Sequence, residues 1–575
     1  MITLGHYLKP YSKRIALGTV IKIVGTITEL FLPWILSYMI DEVAPEKNVA
    51  RIFLWGAVML ACAVVALLGN ITANRMASKV ARDTTESMRF DLFDKTLNLS
   101  ARQTDGFAMP SLVSRLSSDT YNVHNMIGMI QRLGIRAPML LIGGIVVTFM
   151  VEPVLALVLL ATMPFLVLLA VLVAKKGTSL YTKLQKTVDT MVRKIRDIYS
   201  GIRVIKALSR TEYEKKSFET INKNVSSSET RAGLTTGVTN PIMNLFLNLG
   251  MTAVILVGAY RVSAGLTKAG QIIAFMTYFT LMLNAVISVG RIFVMYSKGI
   301  ASSRRICEVL NAPADLLTEE IDLEGSSEAD SDRAQIRFEH VSFSYDGGKV
   351  LDDVSFSIGK GETFGIIGAT GSGKTTIIML MMRFYDADEG NIYIDGRDIR
   401  TFDKKELRRR FGVVFQNDFL FSDTVRNNVD FHRGISDGEL EKALKFAQAD
   451  FIFGNDEGLN YGLAAKGANF SGGQKQRLLV ARALSGEKDV IVLDDSSSAL
   501  DYKTDAALRK ALKENFSDKT IIMIAQRISS VRHADKILVL DNGKAAGLGS
   551  DEELRESCPL YGEILRSQGG CSDCL

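Results

Sequence analysis

The sequence predicts a membrane domain of six transmembrane α-helices that extend into the cytoplasm, followed by a soluble α/β domain. The chain has 575 residues, too many for one hydrophobic core, so at least two domains are expected. Its hydrophobic fraction of 47% and mean hydropathy of +0.15 are high for a soluble protein, and the apolar residues concentrate in the first 300 positions. Beyond Gln335, apolar residues alternate as they do in half-buried strands.

Composition argues against two classes of protein. The net charge of +5 is modest for this length and by itself says little about nucleic acid, and we expect no nucleic-acid partner. Five cysteines in so long a chain argue against a disulfide-stabilised scaffold. The organisation of the chain must therefore be read from its hydrophobic pattern and its motifs.

The membrane domain is predicted from apolar runs in the first half of the chain. A transmembrane helix needs roughly 20 apolar residues to cross a hydrocarbon core of about 30 Å. Six stretches approach this length: Ile15–Ile40, Ile52–Thr72, Ile135–Val151, Pro153–Ala174, Pro241–Tyr260 and Ala269–Val294. Only Glu152 and its neighbours separate the third stretch from the fourth, which predicts a tight turn there.

The loops between these stretches predict the orientation. The segments Arg75–Arg132 and Lys175–Arg231 are rich in lysine and arginine, whereas the other connections are short and poorer in cations. By the positive-inside rule, the long loops and both termini are cytoplasmic. The first apolar run is too long for a signal peptide, so we expect it to stay in the membrane.

The long cytoplasmic loops carry a helical pattern. Apolar residues recur at spacings of three and four between Leu180 and Val225, with little proline or glycine. We therefore expect the membrane helices to continue into the cytoplasm and to turn near Thr104–Ser111 and Leu208–Tyr213. A short element at such a turn is suitably located to contact another domain.

Two groups of polar residues fall inside or beside the predicted spans, where they are energetically costly. Lys22 and Glu29 share one helical face. One interpretation is a contact to substrate or protons. The other, which we favour, is an internal ion pair or a position on a water-facing rim. Asn240, Asn244 and Asn248 form an i, i+4, i+8 stripe. This stripe fits either a polar cavity or hydrogen bonds between helices, and both remain open.

A change of composition separates the two domains. Pro313 follows a helical run, and an acidic, serine-rich segment comes next, as is typical of an exposed linker. The predicted boundaries are a membrane domain over 1–310, a linker over 311–334 and an α/β domain over 335–575.

The α/β domain contains a phosphate-binding pattern in its expected context. Phe364–Ile367 is an apolar strand, and a glycine-rich loop and a helix follow it, as in the motif GxxxxGK[ST]. Backbone N–H groups and the helix N-terminus are expected to bind phosphates, with Lys374 reaching the β- and γ-phosphates and Thr375 binding Mg²⁺. A second buried strand ends at Asp494, which is expected to help hold Mg²⁺. The predicted nucleotide-binding residues of the loop are Gly368, Ala369, Thr370, Gly371, Ser372, Gly373, Lys374, Thr375 and Thr376.

The stretch NFSGGQKQR, between the phosphate loop and the second strand, narrows the prediction from a nucleotide-binding domain to one family. With it, nearly the whole chain resembles the ABC transporters, specifically the exporters built from one membrane domain and one ATPase domain. The resemblance implies that Tyr345 stacks on adenine and that Gln416 senses Mg²⁺. It also implies that Ser471, Gly472, Gly473 and Gln474 form the signature motif, and that Asp501 belongs to the D-loop.

The same resemblance implies an assembly and a location. In this family two ATPase domains pair head to tail, and each ATP lies between the phosphate loop of one chain and the signature of the other. The expected cofactors are ATP and Mg²⁺. The expected partners are a second half-transporter, membrane lipid and a transported small molecule, lipid or peptide. The expected location is the bacterial plasma membrane.

Two residues depart from the family pattern. Asp495 stands where the family has a glutamate that polarises the attacking water, and its carboxylate reaches about 1.5 Å less far. Gln526 stands where the family has a histidine, and a glutamine amide takes up no proton at neutral pH. His533 lies seven residues too far along the chain to replace it.

The paired departures lead to a hypothesis of a degenerate site. In this hypothesis Asp494, Asp495, Gln526, Gln416 and the phosphate loop hold ATP with slow hydrolysis, while the intact signature completes a competent site on a different chain. This resembles the heterodimeric bacterial multidrug-type exporters. The alternatives are a homodimeric exporter or lipid flippase with two slow sites, and a nucleotide-gated channel or regulator. The cargo is not predicted.

Overall fold

The computed structural model describes residues 2–319, 334–345, 347–454 and 456–568, without some side chains between 166 and 178 and at 239–240. The chain divides into two compact units. The first comprises Met1–Asn98 and Phe107–Ala312, and the second comprises Leu99–Gly106 and Pro313–Leu575. Most of the predicted linker, residues 320–333, lies outside the described residues, so the predicted domain boundaries stay a prediction.

The first unit is helical. Its helices are α1 (Leu4–Leu8), α2 (Ser12–Tyr38), α3 (Val49–Leu97), α5 (Met109–Ser114), α6 (Thr120–Val151), α7 (Pro153–Ser200), α8 (Ile202–Ala207), α9 (Thr211–Gly237), α10 (Thr239–Ser263) and α11 (Ala269–Leu310), and α4 (Ala101–Phe107) falls mainly in the second unit. The six predicted stretches lie in α2, α3, α6, α7, α10 and α11. Among the described residues, five helical segments are long and apolar enough to cross a membrane, and the described apolar part of α7 is Pro153–Phe165.

The longest helices exceed the thickness of a bilayer. The 49 residues of α3 extend about 73 Å at 1.5 Å per residue, more than twice a hydrocarbon core of about 30 Å. The short helix α4 overlaps the first predicted turning point, and α8 ends directly before the second. The predicted turn at Glu152 is also present, since the backbone is extended there and Pro153 begins α7. The expectation of helices that continue beyond the membrane is therefore confirmed.

Lys22 and Glu29 do not pair with each other. The Lys22 ammonium donates to the side-chain oxygens of Asn70 and Asn74, at 2.8 and 3.1 Å. The Glu29 carboxylate accepts from Arg136 on α6, at 2.6 and 3.3 Å. The favoured interpretation, an internal ion pair, is correct for Glu29, but its partner lies on another helix. Lys22 is 3% exposed, so it does not lie on a water-facing rim in this chain.

The asparagine stripe is only partly described. Asn244 and Asn248 are exposed on α10, and the side chain of Asn240 lies outside the described residues. Both interpretations of the stripe therefore stay predictions.

The second unit contains two sheets flanked by helices. Its strands are β1 (Ala334–Tyr345), β2 (Gly348–Gly359), β3 (Thr363–Gly368), β4 (Glu389–Ile394), β5 (Arg397–Asp398), β6 (Phe411–Val414), β7 (Val490–Asp494), β8 (Thr520–Ala525), β9 (Lys536–Asp541) and β10 (Lys544–Gly549). Its further helices are α12 (Lys374–Met381), α13 (Lys404–Arg409), α14 (Val425–Asp430), α15 (Asp437–Phe446), α16 (Gly472–Leu484), α17 (Tyr502–Asn515), α18 (Ile528–Val531), α19 (Asp551–Ser557) and α20 (Pro559–Ser567).

The order of the strands determines where the candidate site lies. The smaller sheet has the order β2-β1-β4-β5 and is antiparallel. The larger has the order β10-β9-β3-β8-β7-β6, in which only the edge strand β10 is antiparallel to its neighbour. Because β3, β8 and β7 are parallel neighbours, their carboxyl ends meet at one edge of the sheet, where ligands bind in open α/β folds.

Candidate nucleotide site

The loop after β3 has the geometry of a phosphate-binding loop. Gly373 has a φ of +97°, and a Cβ there would lie 2.6 Å from a methyl carbon of Leu351. The Lys374 ammonium donates to the carbonyl oxygens of Gly368 and Ala369, at 2.8 and 2.7 Å. Ser372 is buried, and its hydroxyl has no hydrogen-bond partner among the described residues. A loop with a free buried hydroxyl and a positioned lysine fits an incoming phosphate.

The predicted magnesium ligands lie side by side at the end of β7. The Thr375 hydroxyl donates to Asp494 Oδ2 at 2.7 Å, and Gln416 lines the same cavity. Burial raises the pKa of Asp494 above its usual range, since the residue is almost fully enclosed, and the nearby charge of Lys374 opposes that shift. A buried carboxylate beside a threonine hydroxyl is the oxygen donor set that Mg²⁺ prefers, so these residues fit the ion.

Asp495 lies beside Asp494 in an unusual backbone conformation. Its φ is +49°, in the left-handed region that aspartate tolerates better than most residues. Its amide donates to the carbonyl of Ile524 at 2.9 Å, which ties the end of β7 to β8. Burial raises the pKa of the Asp495 carboxyl, and the charges of Lys374 and Arg527 oppose that shift. Arg527 was missed by the sequence analysis, although it directly follows Gln526.

Gln526 follows β8, and a side chain from the C-terminal helix holds the backbone around it. Gln568 Nε2 donates to the carbonyl of Gln526 at 2.7 Å, and Gln568 Oε1 accepts from the amide of Ile528 at 2.8 Å. The side chain of Gln526 is exposed toward the cavity, whereas Ile528 is buried. Gln568 was also missed, because no motif links positions 42 residues apart.

Removal of the Gln568 amide is expected to loosen the Gln526–Ile528 backbone. Since a hydrogen bond contributes about 0.5–1.5 kcal/mol, the amide of Ile528 in Gln568→Ala should exchange with solvent up to roughly tenfold faster. Hydrogen–deuterium exchange of the full-length chain measures this rate. Gln568→Glu keeps the acceptor and should leave Ile528 protected. Equal exchange in Gln568→Ala and the parent chain would show that the bond contributes nothing.

The predicted adenine-stacking residue lies in an aromatic cluster at the end of β1. The ring of Tyr345 meets Phe343 edge to face at 4.8 Å and Tyr385 at 5.3 Å between centroids. Tyr345 is 38% exposed, while Phe343 is buried beneath it. A partly exposed ring that makes perpendicular contacts with two other aromatic rings suits the stacking of a base.

One cavity of about 320 Å³ gathers most of the predicted site residues. It is lined by Tyr345, Val350, Thr370, Gly371, Gly373, Lys374, Thr375, Thr376, Gln416, Asp494, Asp495, Ile524, Ala525 and Gln526. In the described part of the chain, its lining does not include the predicted residues Gly368, Ala369, Ser372, Ser471–Gln474 or Asp501. His533 does not line it either, as the sequence analysis anticipated.

The signature residues form a capped helix N-terminus elsewhere in the second unit. The Ser471 hydroxyl accepts from the amide of Gln474 at 3.3 Å, and the Gln474 side chain accepts from the amide of Ser471 at 2.9 Å. This capping box begins α16. Asp501 caps α17 by accepting from the amide of Thr504 at 2.9 Å.

Family models match both parts of the chain. The model described as the ABC transporter transmembrane region matches residues 15–286, and the model described as ABC transporter matches residues 351–498. The second match includes the phosphate loop, the signature and Asp495.

Similar proteins extend over nearly the whole chain. The uncharacterized ABC transporter ATP-binding protein YfiB of Bacillus subtilis is 33% identical, over 98% of each chain. A Mycobacterium bovis protein with the same description, Mb1304c, is 32% identical over 98% of this chain and 97% of its own. The solved structure of a bacterial Atm1-family ABC exporter with ATP bound matches with a TM-score of 0.79 and 24% identity, over 98% of this chain and 99% of that one. The chain therefore belongs to the ABC transporters, as an ATP-hydrolysing half-transporter with the fold of an Atm1-family exporter, one membrane domain fused to one ATPase domain.

Proposed function

We propose that this chain is one half of a heterodimeric exporter, in which its own nucleotide site holds ATP and hydrolyses it slowly. The observation that carries the proposal is the pairing of Asp495 with Gln526 around one cavity. Both departures from the family pattern fall where the terminal phosphate of a bound nucleotide would react. The proposed export path crosses the bacterial plasma membrane, with both termini and the ATPase domain in the cytoplasm.

The shortened carboxylate is the first reason for slow hydrolysis. Asp495 reaches about one bond, ~1.5 Å, less far than a glutamate from the same backbone position. The hydrogen bond from its amide to the Ile524 carbonyl and the neighbouring buried β7 strand fix that backbone, so a shift of the main chain does not make up the distance. A misplacement near 1 Å lowers a rate by on the order of 10²-fold.

The glutamine is the second reason. Gln526 can donate from its amide nitrogen to phosphate oxygens, but it does not take up a proton in the physiological range. The hydrogen bond from Gln568 Nε2 to the Gln526 carbonyl holds the backbone of Gln526 beside the cavity. The site therefore combines good phosphate binding with weak activation of water.

Binding of Mg²⁺–ATP by this chain follows from the same geometry. Lys374 and the glycine-rich backbone bind the phosphates, and Tyr345 stacks on adenine. Thr375, Asp494 and Gln416 hold Mg²⁺, which when bound neutralises phosphate charge. Asp494 would hold the ion as a carboxylate; burial raises its pKa, and the nearby charge of Lys374 opposes that shift.

The intact signature supplies the other half of the proposed function. The N-terminus of α16 presents backbone donors and the positive end of its dipole, which suits the γ-phosphate of an ATP held by a partner chain. The proposed partner is an unlike half-transporter that carries a glutamate and a histidine at the two altered positions. Its site would then hydrolyse ATP against Ser471–Gln474.

The proposal predicts a dependence of turnover on the partner chain. The full-length chain purified alone in lipid nanodiscs should bind Mg²⁺–ATP but hydrolyse it at least tenfold more slowly than the complex with its partner. ATPase assays on the two preparations measure this, and a neighbouring half-transporter gene with both family residues is the partner to co-express. Rapid turnover by the chain alone would favour a homodimeric exporter. Binding without cargo movement in either preparation would favour a channel or regulator.

A further inference from the structure

The segment after the phosphate-loop helix contacts three parts of the second unit. It begins where α12 ends, with the amide of Phe384 donating to the carbonyl of Met379 at 2.8 Å. Its Arg383 is fully buried and donates to the carbonyls of Leu317 and Arg400, at 2.7 and 3.0 Å. We call Arg383–Asp388 the junction segment. Its first residue thus anchors the chain that enters the ATPase domain.

The end of the junction segment is bonded to the strand that carries Tyr345. Asp388 Oδ2 accepts from the amide of Ser344 at 2.7 Å, and the amide of Asp388 donates to the carbonyl of Ser342 at 3.0 Å. Tyr385 adds the edge-to-face contact with Tyr345 at 5.3 Å, with the rings at 89°. One side-chain bond, one backbone bond and a ring contact therefore connect the junction segment to the strand end that carries Tyr345.

The hydroxyl of Tyr385 contacts the short helix α4 rather than the aromatic rings. It donates to Asp105 Oδ2 at 2.6 Å, a short bond of the kind made to an ionised carboxylate. Helix α4 is also tied to the chain that enters the ATPase domain, because Gln103 Nε2 donates to the carbonyl of Pro313 at 2.8 Å and Ser100 donates to Asp315. Residues 99–106 accordingly belong to the second unit.

Helix α4 is joined through the backbone to the membrane helices. It follows α3 after only Asn98–Ser100, and α5 begins two residues after it ends. Only three residues therefore separate α4 from the end of α3. Of the two tyrosines, Tyr345 lies on the nucleotide cavity, and Tyr385 contacts both that ring and this helix.

We propose that Tyr385 is a positioning residue that links adenine binding at Tyr345 to helix α4 through its hydrogen bond to Asp105. The inference rests on the proposed stacking of adenine on Tyr345. A base stacked on Tyr345 restricts that ring, the ring contact restricts Tyr385, and the Tyr385 hydroxyl then fixes α4. Loss of the hydroxyl breaks the last step and leaves the aromatic cluster intact.

A fluorescent reporter on α4 tests this link. Gly106 has no atom within 4 Å of an added Cβ, so a cysteine labelled with bimane is tolerated there once the five native cysteines are serines. The full-length chain in nanodiscs is titrated with Mg²⁺–ATP. Nucleotide affinity is measured separately with a fluorescent ATP analogue, and the bimane signal is compared at saturation.

The expected results distinguish the role of the Tyr385 hydroxyl from the role of its ring. Tyr385→Phe should keep nucleotide affinity within about threefold and lose at least half of the ATP-dependent bimane change. Asp105→Ala should behave alike, whereas Asp105→Asn keeps an acceptor oxygen and should retain most of the change. Tyr393→Phe, on β4 in the same unit, is the matched control and should retain it fully.

The link and the stacking of adenine can be refuted separately. A full bimane change at saturating ATP in both Tyr385→Phe and Asp105→Ala would refute the link. Unchanged affinity in Tyr345→Ala would refute the stacking of adenine on which the link rests. If Tyr345→Ala weakens binding while Tyr385→Phe responds fully, only the link is wrong and the proposed nucleotide site stands.

Discussion

Gly472→Asp in this chain is expected to lower the ATPase rate of the assembled transporter by at least 10²-fold. In the proposed arrangement the N-terminus of α16 faces the γ-phosphate of an ATP held by the partner. A carboxylate about 4 Å from one phosphate charge is repelled by about 4 kcal/mol at an effective dielectric of about 20, and each 1.4 kcal/mol is a tenfold change. Steady-state phosphate release by the complex measures the rate.

The substitution is chosen so that the chain itself is little affected. A Cβ at Gly472 meets only Ala499 at 4.0 Å, whereas at Gly473 it would lie 3.0 Å from a backbone oxygen. An acidic residue in the first turn of a helix is favourable, so α16 should keep its stability. The matched control is Gly438→Asp, in the first turn of α15, where the helix also begins with a capping box and an added Cβ meets nothing within 4 Å. This control should retain full activity.

Asp495→Asn should lower the ATPase rate of the same complex by less than threefold. The proposal assigns most hydrolysis to the partner's phosphate loop, so a change at this chain's own shortened acid has little left to remove. If Asp495→Asn lowers the rate as strongly as Gly472→Asp, then hydrolysis takes place at this chain's own site. The hypothesis of a degenerate site would then be wrong.

Local motifs made the nucleotide site predictable. The phosphate loop, Thr375 and Asp494 were placed from a strand, a glycine pattern and a second strand, and the structure brings them to one sheet edge. Such motifs work because a phosphate loop constrains neighbouring residues through backbone geometry. The apolar runs similarly identified the long membrane helices, since a bilayer sets a minimum length.

Contacts between distant side chains were not predictable in the same way. Glu29 pairs with Arg136, 107 residues away, and Asp105 accepts from Tyr385, 280 residues away. No periodicity relates such positions, because they meet only after helices and sheets have packed. The shared helical face of Lys22 and Glu29 suggested a local pair, but tertiary packing supplied other partners for both.

Asp495→Glu combined with Gln526→His is expected to raise the ATPase rate of the isolated chain by at least tenfold. The glutamate recovers about 1.5 Å of reach toward the attacking water, and the histidine restores a group that can bind a proton. Glutamate tolerates the left-handed backbone at position 495 less well than aspartate, so a small loss of stability is also expected. Phosphate release by the full-length chain in nanodiscs measures the gain, with dimer formation followed by chemical cross-linking.

The two substitutions should act together. Because both residues serve one reacting phosphate, each single variant should give only a small part of the gain, and their combined effect should exceed the sum of the separate changes in activation free energy. Adding Lys374→Ala to the double variant removes the phosphate contact and should abolish the new activity, which excludes a contaminating ATPase. If the double variant dimerises with ATP yet stays as slow as the parent chain, residues other than Asp495 and Gln526 limit hydrolysis at this site.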